Sequence, residues 1–390
     1  MEPRYCKPVI ILTLLISVAT TTTGLKACNF PAIFNFGDSN SDTGGLSAAF
    51  GQAPSPNGET YFHTPAGRFS DGRLVIDFIA EGLRLPHLSA FLDSVGSNFS
   101  HGANFATAGS TIRPQNTTIS QIGYSPISLD VQSVQYSDFH RRSSLLSRQG
   151  GVFAELVPKE DYFAQALYTF DIGQNDITSG YKLNMTTDQV KAYIPDVLHQ
   201  FSIAIKNVYN QGGRSFWIHN TAPLGCLPYV LDRFLVTAAQ IDKYGCATPF
   251  NQVAQFFNTK LKETVIQLRK GLPLAAITYV DVYSIKYVLI TQAQKLGNQP
   301  STLEKLQEID NDSYLPTPSN LREDAITKVL GLAKGGHMKG LRKCVTLIQL
   351  SIIAQRDNIT FTNLGISFLN PLSSFPIIAM EISLLKYVCF

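Results

Sequence analysis

Along the chain, short apolar runs rich in β-branched and aromatic residues alternate with longer stretches whose apolar positions recur every three or four residues. The short runs predict strands at Ala32–Phe36, Ala103–Ala106, Ala166–Phe170, Ser215–His219 and Ala275–Val280. Between the third and fourth, Val190, Ile194, Val197, Phe201, Ile205 and Val208 share one stripe at helical period, which predicts an amphipathic helix. A second helix is expected from Ser284 to about Leu296. Strand, helix, strand in this rhythm predicts a parallel sheet with helices on both faces. In such open sheets, sites gather beyond the carboxyl ends of the strands. Ser39, Gly109, Asn175 and Asn220 each follow a predicted strand within a few residues.

The rhythm stops near Asn298, where LEKLQEIDNDSYLPTPSNLRED is polar and turn-rich. The later apolar stretches VTLIQLSIIA and FPIIAMEISLLKYVCF are shorter than a bilayer span, and the second carries Glu381 and Lys386. At the other end, Arg4 and Lys7 precede an apolar run from Val9 to Ala19, too short to span a bilayer and suited to a signal-peptide core. The expected organisation is a signal peptide over residues 1–27, one α/β domain over 28–297, and a divergent tail over 298–390.

Composition changes this picture little. The chain is 44% hydrophobic and 16% charged, an ordinary globular balance, and a net charge of +3 over 390 residues leaves no nucleic-acid footprint. The basic HRRSS at His140 to Ser144 reads as a solvated helix face or loop. A secreted destination fits five N-x-S/T triplets, opened by Asn98, Asn116, Asn184, Asn311 and Asn358. Without Cys6 the cysteines are Cys28, Cys226, Cys246, Cys344 and Cys389, and Cys226 with Cys246 would close a short loop as the candidate disulfide. No CxxC or HExxH spacing supports a metal.

The candidate chemistry lies past the strands. In PAIFNFGDSNSDTGG an apolar strand runs into a sharp turn whose tip is Ser39. A serine nucleophile needs a base within hydrogen-bond reach and donors aimed at the developing oxyanion. In GANFATAGSTI, Gly109 lets its backbone N–H approach a ligand closely, and in DIGQND, Asn175 offers a side-chain amide. Asp38 and Asp42 flank the serine and read as turn and cap residues; His219 reads as structural or site-lining.

Together these three segments, with IHNTAPLGCLP and YGCATPFNQVAQFFNTKL, resemble the plant branch of the GDSL (SGNH) ester hydrolases over roughly Phe30 to Gly297. The resemblance implies a flavodoxin-like three-layer α/β/α sandwich with a mostly parallel sheet. It implies Ser39 as nucleophile and first oxyanion donor, Gly109 N–H and the Asn175 side chain as further donors, an acyl-enzyme, no cofactor, and a small-molecule or lipid ester as substrate. GETYFHTPAGRFSDGRLVIDFIA resembles a subgroup with acetyl-esterase and glycosidase-like members.

One family feature is missing. The family carries its catalytic Asp and His as a D-x-x-H motif near the C-terminus, and none follows Asn298; the tail histidine, His337, has no aspartate three residues before it. The D-x-x-H at Asp196 to His199 falls on the amphipathic helix, where each of the two lies about 200° from an apolar stripe position and so faces solvent. The general base is therefore unassigned. Two readings follow, a secreted ester hydrolase and a catalytically impaired or inactive remnant of the family that lacks the Asp/His base.

Overall fold

The five apolar runs pair side by side into one all-parallel sheet in a computed structural model that describes residues 29–115 and 124–292. The strands are β1 (Ile33–Gly37), β2 (Gly102–Asn104), β3 (Leu167–Asp171), β4 (Ser215–His219) and β5 (Ala276–Val280), in the order β2-β1-β3-β4-β5. Each lies within two residues of its predicted bounds. A central parallel strand is covered on both faces, so its residues need not alternate apolar and polar; β1 is buried along its whole length.

Nine helices among the described residues flank or connect the strands. They are α1 (Gly45–Phe50), α2 (Val75–Gly82), α3 (Leu129–Gln149), α4 (Tyr162–Gln165), α5 (Gln174–Lys182), α6 (Thr187–Asn210), α7 (Pro228–Arg233), α8 (Thr248–Gly271) and α9 (Val282–Thr291). On one face, Phe34, Phe36, Tyr168, Phe170 and Phe216 pack with the apolar sides of α3, α6 and α8. Ring pairs tie this layer together: Phe36 stacks on Phe170 at 4.7 Å and Phe34 on Phe163 at 5.1 Å. On the other face, Ile33, Leu167, Trp217 and Val280 meet Ile76, Ile79 and Ala80 of α2. The result is a three-layer α/β/α sandwich.

Helix α6 buries the predicted stripe and begins with a capping box, in which the Thr186 hydroxyl accepts from Gln189 N–H while Gln189 Oε1 accepts from Thr186 N–H. Asp196 and His199 are both exposed on it, and Asp196 pairs with Arg113 at 3.2 Å. Helix α9 starts two residues earlier than expected because Asp281 caps it, accepting from Ser284 N–H at 3.0 Å. The HRRSS segment belongs to α3, where Arg141 and Arg142 are exposed while Ser143 and Ser144 are buried. Cys226 and Cys246 form a disulfide. Asn98 and Asn184 are exposed. Residues 1–27, Asn116, Asn311, Asn358, His337 and the tail lie outside the described residues.

Candidate active site

β1 ends where a side chain would not fit. A Cβ on Gly37 would come within 2.3 Å of Ser41 Oγ and 2.7 Å of the Asp171 carbonyl, so glycine lets the chain leave the sheet at once. Asp38 N–H then donates to the Asp171 carbonyl at 3.2 Å, and Ser41 N–H to the Asp38 carbonyl at 3.1 Å, which closes the turn carrying Ser39. The Asp38 carboxylate stiffens that turn by accepting from Asn40 N–H at 2.9 Å and Asn40 Nδ2 at 2.8 Å. Ser39 is half-buried at the carboxyl edge of the sheet.

The other two predicted segments arrive at the same edge. Beyond β2 the chain forms the Gly109 loop, with Gly109 at φ +80°, a left-handed conformation that favours glycine. Neither Ser39 N–H nor Gly109 N–H donates to an acceptor among the described residues, whereas Asn40 N–H, Ala108 N–H and Ser110 N–H all do. Asn175 enters from the first turn of α5, and its Nδ2 donates to the Ser110 carbonyl at 2.8 Å and to Asp38 Oδ2 at 3.3 Å. The structure therefore brings the Ser39 turn, the Gly109 loop and the Asn175 amide together. Backbone N–H groups left without an acceptor, as those of Ser39 and Gly109 are, favour an anionic oxygen.

Several buried polar groups hold the three segments, and the sequence reading missed most of them. Asn35 of β1 donates to Asn104 Oδ1 at 2.7 Å and accepts from Thr169 Oγ1 at 2.7 Å, linking β1, β2 and β3 inside the sheet. Asn104 in turn donates to the Ser41 carbonyl at 2.6 Å and to Thr43 Oγ1 at 2.9 Å. Gln132 of α3 bonds both the N–H and the carbonyl of Gly37, at 3.0 and 2.8 Å. An Asn inside an otherwise apolar run, as in IFNFG, is the one signal in the sequence that pointed to such a network. Asp42 does form turn and cap hydrogen bonds, as read from the sequence, but also reaches the Gly109 loop: its Oδ2 accepts from Ala108 N–H at 2.7 Å.

Beside the Ser39 turn a cleft opens between the ends of β3, β4 and β5, lined in part by Asp38, Asn40, Asp171, Gln174, Asn220 and Lys286. Its carboxylates are held apart in acidity. Burial pushes Asp38 up, and the neighbouring Asp171 charge adds to this, to a pKa of about 7. Burial also works against ionised Asp171, but His219 and then Lys286 outweigh it and hold that carboxyl below its usual range. His219 Nδ1 lies 3.3 Å from Asp171 Oδ2, out of line for a hydrogen bond, and neither ring nitrogen has a hydrogen-bond partner. His219 is thus buried at the edge of the site. The Ser39 hydroxyl makes no hydrogen bond to any described residue. Among the described residues no group of three His, Cys, Asp or Glu is placed to hold a metal, and no helix is long and apolar enough to cross a membrane.

Comparison with known proteins gives a consistent picture. The family model for GDSL-like Lipase/Acylhydrolase matches residues 33–319. The chain is 73% identical over 297 residues to an Arabidopsis thaliana protein named GDSL esterase/lipase At3g26430, covering 76% of this chain and 73% of the relative. It is 61% identical over 283 residues to Alpha-L-fucosidase 3 of Arabidopsis thaliana, covering 73% and 76%. It is 55% identical over 291 residues to a protein named Esterase from Hevea brasiliensis, covering 74% of each.

Proposed function

This chain belongs to the GDSL-like lipase/acylhydrolase family of carboxylic ester hydrolases, and from that premise we propose that it cleaves esters through Ser39. One observation carries the reading: the half-buried Ser39 turn, the undonated N–H groups of Ser39 and Gly109, and the Asn175 amide meet at one edge of the sheet. Ser39 Oγ attacks the ester carbonyl carbon. The carbonyl oxygen takes up the negative charge against Ser39 N–H, Gly109 N–H and Asn175 Nδ2. Collapse expels the alcohol, which takes up the proton lost by the Ser39 hydroxyl, and leaves acyl-Ser39, which water hydrolyses to the acid.

The substrates in this reading are acylated plant metabolites, sugar esters or lipids, met outside the cell. Secretion is supported by the charged-then-apolar segment before Cys28, by the Cys226–Cys246 disulfide, and by exposed Asn98 and Asn184 in glycosylation triplets. The test is hydrolysis of p-nitrophenyl acetate by the full chain and by Ser39→Ala, with p-nitrophenyl α-L-fucoside as a second substrate. The reading expects Ser39-dependent release from the acetate and none from the fucoside. Equal release by both proteins would end it.

A second reading, an impaired or inactive member of the family, is favoured by the Ser39 hydroxyl, which makes no hydrogen bond to a base among the described residues, and by the missing D-x-x-H after Asn298. A site without its base retains oxyanion stabilisation and loses several orders of magnitude in rate. Added imidazole then raises the Ser39-dependent rate; a chain whose base is in place gains nothing from it.

A further inference from the structure

We propose that Asp42 and Asp176 are positioning residues: two buried carboxylates that clamp the Gly109 loop at both ends, one against the Ser39 turn and one against the Asn175 helix. This rests on the reading of Ser39, Gly109 and Asn175 as nucleophile and oxyanion donors.

Asp42 is fully buried and accepts four backbone N–H groups. Three belong to the start of α1: Gly44 at 2.8 Å, Gly45 at 2.5 Å and Leu46 at 3.1 Å. A helix cap needs no more than these, and a neutral Ser or Asn supplies such a cap without burying a charge. The fourth, Ala108 N–H at 2.7 Å, comes from a segment 66 residues away and belongs to the residue just before Gly109. One rigid carboxylate therefore ties the turn of Ser39 to the peptide that carries the Gly109 donor. Its four acceptor sites are all used, which an amide side chain cannot match.

Asp176 repeats the arrangement at the other end of the loop. It follows Asn175 directly and is 2% exposed. Its Oδ2 accepts from Ile112 N–H at 2.8 Å and its Oδ1 from Arg113 N–H at 3.0 Å. Between the two clamps, Asn175 Nδ2 bonds the Ser110 carbonyl at 2.8 Å. The loop from Ala108 to Arg113 is thus fixed to both other pieces of the site by buried carboxyl oxygens. Neither carboxylate is exposed to a substrate, and a negative charge is no help to an oxyanion nearby, so both act through the donors they place. Burial pushes both groups up in pKa, against the pull of the backbone N–H groups around them. Two costly groups are kept where the loop is held.

The test uses the full chain, Asp42→Asn and Asp176→Asn, with folding followed by circular dichroism. Two readouts are taken: kcat and KM for p-nitrophenyl acetate, and the equilibrium affinity of a trifluoromethyl ketone. The ketone carbon bonds Ser39 Oγ, the hydroxyl proton passes to solvent, and the ketone oxygen becomes the anion that the donors hold. Misplacing one donor lowers kcat and ketone affinity together by about 10²-fold while KM stays within about twofold. The ketone readout is an equilibrium and serves even where turnover is slow. Unchanged kcat and ketone affinity in folded variants would overturn the proposal, as would a loss confined to KM. Should Asp42→Asn fail to fold, Asp176→Asn, which leaves the α1 cap intact, decides alone. A wild-type chain that binds the ketone no better than Ser39→Ala refutes the ester-hydrolase reading itself, a result separate from normal wild-type binding with unaffected Asp variants.

Discussion

Asp176 offers a stability measurement whose sign and size follow from its surroundings. The carboxyl is 2% exposed, and burial pushes its pKa from 3.8 to about 7 despite the N–H groups of Ile112 and Arg113 that it accepts. In the unfolded chain the group ionises near pH 4; in the folded chain it keeps its proton until about pH 7. Across that window the folded state binds more protons, so stability falls as pH rises. Below the window the group contributes nothing, and above it the full penalty applies. A shift of about three units at 1.36 kcal/mol each gives a penalty of about 4 kcal/mol. Asp176→Asn is neutral and close in shape, so it removes the titration. Asp38 is also pushed up to about 7, but it is present in both proteins and cancels in their difference. Urea unfolding of both, with the disulfide intact, is measured from about pH 4 to about pH 8. Wild-type stability minus variant stability falls by about 4 kcal/mol over that range. A flat difference would refute the reasoning, because it would mean the buried carboxyl ionises as easily in the fold as in the unfolded chain.

Other consequences follow from the same geometry. Asn175→Ala removes the amide that bonds Ser110 and approaches Asp38; steady-state kinetics on p-nitrophenyl acetate should show kcat down by about 10² to 10³-fold with little change in KM. Phe201 of α6 is 2% exposed and meets Phe170 edge to face at 5.8 Å, so Phe201→Ala costs about 3–5 kcal/mol in chemical denaturation. The Cys226–Cys246 disulfide closes a loop with a separation of 20 residues; the double Ser variant loses about 3 kcal/mol, read as a lower unfolding midpoint.

The parts of this molecule that were legible in the sequence are those that a periodic pattern can carry. Strands β1 to β5 announce themselves as short apolar runs, the first four because a parallel sheet buries both faces. The stripe from Val190 to Val208 does the same for α6. Helix α3 is harder to read, because Gln132, Ser133, Ser143 and Ser144 are among its buried residues and blur the apolar period. The three candidate segments were legible as motifs, and the contacts that join them were not. Nothing in a linear pattern shows that Asp42 reaches Ala108, that Asn104 holds Ser41, or that Gln132 brackets Gly37. Each of these contacts joins segments tens of residues apart, and a single buried polar side chain leaves no period. The Asp38 and Asp171 pair shows why: Lys286 pulls on both, and their acidity diverges because folding places His219 beside Asp171 alone.

The central claim is that Ser39 is the nucleophile, and covalent labelling tests it most directly. The full chain and Ser39→Ala are incubated with a fluorophosphonate, whose phosphorus bonds the serine oxygen and expels fluoride. Intact mass and peptide mapping then locate the adduct. The account predicts one adduct, on the peptide containing Ser39, and none on Ser39→Ala. Labelling of another serine, or equal labelling of both proteins, would contradict it.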